Sequence, residues 1–133
     1  MNNMLFINEY NLHGRLIYGR YPDGYERWYE YDEFGNTIHY KTSNGVERWF
    51  EYDAQGNKTH VKISNGYEEW ADYDDNGKRI YAKYSNGYEG WWEYDSNGNI
   101  LHRRNSAGYE VWYDSAGNEI SKEQYDELHK DHP

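Results

Sequence analysis

The strongest constraint on this chain is a period of 21 residues. Tyr-Asp pairs stand at Tyr31-Asp32, Tyr52-Asp53, Tyr73-Asp74 and Tyr94-Asp95, and Tyr10-Asn11 continues the series towards the N-terminus. Trp28, Trp49, Trp70 and Trp91 keep the same step, as do Gly24, Gly45, Gly66 and Gly87. Several residue types held in one register define a structural repeat, in which each unit buries its apolar face only against its neighbours. The sequence divides into an N-terminal partial repeat (1–20), full repeats at 21–41, 42–62, 63–83 and 84–104, a shortened repeat at 105–120, and a helix or tail at 121–133. All of it reads as one repeat domain.

Within a unit, two short runs alternate with two turn signals. "YERWYEYD" is aromatic with interleaved charge, "NTIHYK" follows it, and "DEFGN" and "TSNG" separate them. Glycine stands where a turn needs positive φ, and Asn-Gly after Ser is a strong hairpin signal. Tryptophan, tyrosine and Asn-Gly at this density oppose a helix. The expected fold is all-β: an antiparallel meander of about eleven strands, built from 21-residue hairpins, with a curled or twisted sheet and a short C-terminal helix. That helix is read from "SKEQYDELHKDHP", with Ser121 as N-cap and Gln124 closing a capping box.

An odd period carries a further condition. Side chains alternate faces with period two, so equivalent residues share a face only if parity is restored once per repeat. One connection must be odd and the other even, or a bulge must intervene. Taking "DEFG" as a four-residue loop and "SNG" as a three-residue loop pairs Glu26 with Lys41, Tyr29 with Ile38, Lys41 with Glu47 and Ile38 with Phe50. One face then holds Tyr25, Tyr29, Tyr31, Ile38, Tyr40, Val46, Phe50 and Tyr52. The other holds Glu26, Trp28, Glu30, His39, Lys41, Glu47, Trp49 and Glu51. The last copy loses two residues, which preserves parity.

"YDEFGNTIHY", "YDAQGNKTH" and "YDSNGNILH" resemble the YD repeats of the Rhs group, over nearly all of residues 8–122. The resemblance implies β-meanders of the kind that coil into shells around bacterial toxins. The chain departs from that pattern after the turn glycine, where it has Asn36, Asn57, Lys78, Asn99 and Asn118. A weaker likeness to choline- and glucan-binding aromatic repeats implies a scaffold for binding.

Glu-x-Trp-x-acid recurs as Glu26/Trp28/Glu30, Glu47/Trp49/Glu51, Glu68/Trp70/Asp72 and Glu89/Trp91/Glu93. On a strand the three side chains share a face. Such a ridge suits a basic protein, since Arg pairs with carboxylates and stacks on indole. The same carboxylates could instead pair across strands with Lys41, Lys62 and Lys83. His39, His60 and His102 occupy equivalent positions, but two strand spacings separate them by roughly 9.5 Å, too far to share a metal. "DYDDNG", Asp72–Gly77, opens like a calcium loop, yet position twelve is Lys83 where a bidentate Glu is needed. No nucleophile elbow, P-loop, dinucleotide fingerprint or His-Glu-x-x-His motif interrupts the repeat, so neither catalysis nor a cofactor is expected.

The formal charge of −10 opposes direct nucleic-acid binding and would steer a basic partner towards the protein. Cysteine is absent, and no run approaches a membrane span. The four-residue apolar run Met4–Ile7 is too short for a signal-peptide core, so a cytoplasmic location is the plain expectation. The reading that joins these features is a non-catalytic, acidic protein-binding module, of the kind by which an immunity protein neutralises a basic nuclease toxin. A carbohydrate or cell-wall binding module, and a repeat that assembles with itself through its sheet edges, are the alternatives.

Overall fold

The computed structural model describes residues 5–130; the outermost residues of the N-terminal partial repeat and of the C-terminal tail lie outside it. Twelve strands follow one another in an antiparallel meander whose spatial order is the sequence order. They are β1 (Ile7–Tyr10), β2 (Leu16–Arg20), β3 (Glu26–Tyr31), β4 (Thr37–Thr42), β5 (Glu47–Tyr52), β6 (Lys58–Ile63), β7 (Glu68–Tyr73), β8 (Arg79–Tyr84), β9 (Glu89–Tyr94), β10 (Ile100–Asn105), β11 (Glu110–Tyr113) and β12 (Glu119–Ile120). A single helix, α1 (Lys122–His129), closes the described chain. Contacts divide the chain into two compact units at Glu69/Trp70, inside β7.

Both kinds of turn are built alike. Asp32 N–H bonds the Asn36 carbonyl at 2.9 Å and Gly35 N–H bonds the Asp32 carbonyl at 3.1 Å. Thr42, Gly45 and Val46 repeat that arrangement in the next turn. Each loop therefore holds three residues, with the third, Gly35 or Gly45, at φ +88 or +95, where a Cβ would be strained. The four-residue "DEFG" loop was one residue too long. Two odd loops cannot by themselves restore parity over 21 residues, and a bulge does so. Tyr31 pairs with Thr37 beside the turn, but Glu30 pairs with His39, which leaves Ile38 as the extra residue. Ile17, Thr59 and Leu101 are extra in the same way.

The bulge corrects the expected pairing of the first hairpin while keeping the two faces. Lys41 lies opposite Trp28 rather than Glu26, and Tyr29 lies opposite Tyr40 rather than Ile38. In the second hairpin Lys41 pairs with Glu47, as the turn length requires, while His39 pairs with Trp49. Ile38, displaced by the bulge, has no opposite number in Phe50.

Pairing across alternate boundaries is uneven. β3–β4 is laddered over five pairs, and Ser43 extends it by exchanging bonds with Glu26: its N–H donates to the Glu26 carbonyl and its Oγ accepts from the Glu26 N–H. Ser64 with Glu47 and Ser106 with Glu89 do the same. The β2–β3, β4–β5 and β8–β9 boundaries carry three pairs each, all at the "SNG"-type end. At the opposite end the backbones separate, and the tyrosine of the Tyr-Asp pair bridges them. Tyr31 Oη donates to the Leu16 carbonyl (2.6 Å), Tyr52 to Thr37 (2.7 Å) and Tyr94 to Arg79 (3.0 Å). Partial burial raises the pKa of all three phenols, which keeps them protonated as donors.

Side chains of the strands are mostly half-buried. The buried described residues are small: Gly19, Thr42, Ala71, Ala82, Gly90 and Val111. The rings pack on one another within the sheet surface instead, as in Tyr29–Tyr40 at 5.0 Å. Trp92 lies over Gly90, where an added Cβ would come within 2.8 Å of the indole. Ser121 caps α1 with the full capping box to Gln124, and the helix packs against β11.

Two consequences are measurable. Tyr52→Phe removes one bridging hydrogen bond and should cost about 1 kcal/mol in urea unfolding followed by tryptophan fluorescence. The turn aspartates set the acid limit. Asp53 accepts from the N–H and side chain of Asn57 and from the Gln55 N–H, and these bonds hold its carboxyl below the ordinary 3.8. Asn99 and Asn118 do the same for Asp95 and Asp114. A depressed folded-state pKa contributes stability above the unfolded value that disappears as pH falls through the folded one. Stability should therefore hold to about pH 4 and fall below it, and Asp53→Asn together with Asp95→Asn should flatten that acid limb.

Candidate functional site

In each Glu-x-Trp-x-acid triplet the three side chains share a face of their strand by alternation, and the two carboxylates differ in environment. The first of each pair is turned into the sheet. Glu47 Oε2 lies 2.7 Å from His39 Nε2, Glu68 lies 3.1 Å from His60, and Glu110 lies 2.7 Å from His102. Where tyrosine replaces histidine, its hydroxyl donates to the glutamate: Tyr18 to Glu26, and Tyr81 to Glu89 at 2.6 Å. The same ring packs on the tryptophan two residues after that glutamate. His39 stacks on Trp49 at 5.6 Å and His102 on Trp112 at 5.0 Å, while Tyr18 meets Trp28 and Tyr81 meets Trp91 at a tilt.

The second carboxylate of each pair points to solvent. Glu51 is 73% exposed against 29% for Glu47, and Glu30 and Glu93 resemble Glu51. These outer groups approach the other ring nitrogen at 3.6 to 3.7 Å, for His39, His60 and His102. Asp72 is likewise exposed. Trp49 and Trp70 are the most open indoles, at 37% and 36%; Trp28 and Trp91 are half-buried. Cations flank them, with Lys62 Nζ 5.7 Å from the Trp49 ring and Arg104 Cζ 4.1 Å from the Trp91 ring.

Thus Glu26, Glu47, Glu68 and Glu89 are engaged by a ring of the preceding strand. Glu30, Glu51, Asp72 and Glu93 are the exposed carboxylates, each two residues after an indole. Among the described residues, no three His, Cys, Asp or Glu side chains are grouped to hold a metal ion.

The opposite face holds residues that the sequence reading passed over. Alternation along β3–β6 puts Arg27, Arg48 and Lys58 there, among tyrosines and Phe50, with no strand carboxylate. Arg27 Cζ lies 4.8 Å from the Tyr21 ring and 5.8 Å from the Tyr29 ring, and Arg48 lies 6.0 Å from Tyr40. Lys58 Nζ lies 4.5 Å from Phe50. In the second unit Arg103, at the repeat position of Tyr40, lies over Tyr109. Along β3–β6 the strand carboxylates therefore all lie on the tryptophan face, and Arg27, Arg48 and Lys58 lie on the other. The signal was available, because Arg27 and Arg48 sit one residue out of phase with the glutamates.

The two carboxylates should respond differently to charge reversal. Glu51→Lys, at the exposed position, should change unfolding free energy by no more than about 0.5 kcal/mol. Glu47→Lys removes the His39 partner from a half-buried site and should cost about 1 to 3 kcal/mol in the same urea titration.

No protein-family model and no curated protein matches the chain. Solved structures do. It is similar to the crystal structure of TcdB2-TccC3-Cdc42, at 20% identity and TM-score 0.65, over 86% of this chain and 7% of that one. It is similar to TcdB2-TccC3-TEV at 20% identity and TM-score 0.67, with the same coverage. A Photorhabdus luminescens Tc holotoxin pore aligns at 20% identity and TM-score 0.64, over 86% of this chain and 6% of that one. The chain spans about 7% of the toxin-complex chains it matches. At this identity the likeness is one of fold, and it is consistent with an Rhs-type repeat.

Proposed function

We propose that this protein is a non-catalytic, toxin-associated binding module that docks a basic protein partner, acting as a cytoplasmic immunity protein against a basic nuclease toxin. The observation that carries the reading is the exposed acid of each triplet: in the first unit Glu30 and Glu51 stand exposed on the face that carries Trp49, and in the second Asp72 and Glu93 stand exposed on the face that carries Trp70. Their inner counterparts are held by His or Tyr, so the ridge is braced before a partner arrives, which limits the ordering cost of association. An arginine-rich surface gains from each element in turn: the carboxylates accept its guanidinium hydrogen bonds, and the indoles offer stacking faces. The acidic row accelerates encounter, and the indoles supply the desolvated anchors that dominate affinity. Regular repetition of the carboxylates, with no one pair set apart, supports binding over catalysis. The likeness in fold to toxin-complex chains supports the association with toxins.

The test pairs growth protection with binding kinetics. Co-expression with a panel of basic nuclease toxin domains should rescue growth against at least one of them. The purified pair should associate in low salt with a rate that falls steeply as salt is raised. Reversing Glu30, Glu51 and Glu93 to Lys together should slow association about tenfold or more and flatten the salt dependence. Binding that is indifferent to these reversals, or failure of every basic domain to bind in low salt, would remove the proposal.

A further inference from the structure

We infer that the face of the first unit bearing Arg48 and Lys58 carries a small-ligand site, a cleft over the β4–β5 boundary that takes an aromatic carboxylate. The cleft has a volume of about 310 Å³, and β3, β4, β5 and β6 all contribute to its lining. It lies where the two central strands part. The β4–β5 ladder ends at His39↔Trp49, and beyond it the Tyr52 hydroxyl reaches across to the Thr37 carbonyl at 2.7 Å. Thr37 and Tyr52 both line the cleft, so it sits over the opening beside the bulge. Tyr29, Tyr40 and Phe50 supply further ring walls. Tyr29 packs against Tyr40 at 5.0 Å and lies nearly parallel to Tyr31 at 6.4 Å. Walls that are in place beforehand lower the ordering cost of binding.

Two cations stand in this lining and no carboxylate does. Lys58 Nζ lies 4.5 Å from the Phe50 ring, and Arg48 Cζ lies 6.0 Å from the Tyr40 ring. Arg48 is exposed, so its fork of N–H donors is accessible to a carboxylate, which it can bind through two parallel bonds. The acids at the turn ends of β3 and β5, Asp32 and Asp53, line a separate hollow and accept hydrogen bonds from their own turns. A ligand's negative group is therefore drawn to the Arg48 end of the cleft, away from them.

The rest of the lining selects the body of the ligand. A sugar needs several polar side chains for its hydroxyls, but the lining holds no Asn, Gln, Asp or Glu, and the Tyr52 hydroxyl is engaged by Thr37. A flat ring seated among four others leaves no polar group of its own unpaired. The combination also occurs once. Arg48, Phe50 and Lys58 correspond in the other full repeats to Arg27, Tyr29 and Thr37, to Glu69, Ala71 and Arg79, and to Gly90, Trp92 and Ile100. Only the β5–β6 hairpin brackets a ring with two cations. A few polar groups placed once around an apolar hollow is the form that small-ligand recognition takes.

Titration of the isotope-labelled protein with benzoate tests this, followed by backbone amide shifts in NMR. Benzoate should bind saturably at about millimolar concentration, as so small a ligand allows, with the largest shifts at Thr37, Tyr40, Arg48 and Phe50. Three other probes divide the chemistry: benzamide keeps the ring without the charge, acetate keeps the charge without the ring, and glucuronate replaces the ring by a sugar. Each should bind at least about tenfold more weakly. Arg48→Gln should weaken benzoate binding about tenfold and leave the urea midpoint in place, since the side chain is exposed. The cleft lies on the face opposite the exposed carboxylates, so it stands or falls independently of the proposed function. Absence of a saturable shift up to about 20 mM benzoate, equally tight binding of any other probe, or unchanged binding by Arg48→Gln would overturn the inference.

Discussion

The contact on which this sheet depends is the hydroxyl that each Tyr-Asp tyrosine donates to a carbonyl of the preceding strand. It exists because of the bulge. Two three-residue turns and an odd repeat can be reconciled only by one unpaired residue per unit, and Ile38 and its equivalents supply it beside the Asp turn. The backbones on the next boundary then separate at that end, and a backbone carbonyl would be left without a donor. A phenol is long enough to cross the gap, and its ring fills the space that the ladder leaves. The aspartate that follows the tyrosine folds the turn with its own carboxylate. The recurring dipeptide thus joins two tasks, closing one hairpin and attaching it to its predecessor.

Fixed parity has a chemical consequence. Because each unit returns to the same face, glutamate, tryptophan and histidine line up across strands. One carboxylate per unit is then held at hydrogen-bond distance by a ring nitrogen or phenol, while the other is mostly exposed and, where the ring is histidine, lies 3.6 to 3.7 Å from its other nitrogen. The histidines and tyrosines at residues 18, 39, 60, 81 and 102 are interchangeable there because both rings can bond the inner glutamate and cover the indole. The arginines one residue away go to the other side, against tyrosine rings. Along β3–β6 the carboxylates therefore share the face of the indoles, with Lys62 beside Trp49, while Arg27, Arg48 and Lys58 lie against rings on the other face.

Hairpins, turn glycines and the capped helix were legible because each rests on local chemistry: Asn-Gly and Asp-x-x-Gly turns, alternation, and Ser121 with Gln124. The face partition was legible as well, since any solution to the parity problem gives it. The first hairpin register was not. A four-residue loop and a three-residue loop with a bulge satisfy parity equally, and they differ only in which residues stand opposite. Glu26–Lys41 and Trp28–Lys41 are therefore indistinguishable in the sequence.

By itself, then, the sequence determined the repeat, its strand content and which side chains share a face, because these follow from the period and from backbone preferences within a few residues. The tertiary structure decided which glutamate of each pair is half-buried against a ring and which is exposed, and where the bulge lies. Those outcomes depend on the neighbouring strand's position to within a hydrogen-bond length, and a hydrogen bond across two strands links residues that no local pattern connects.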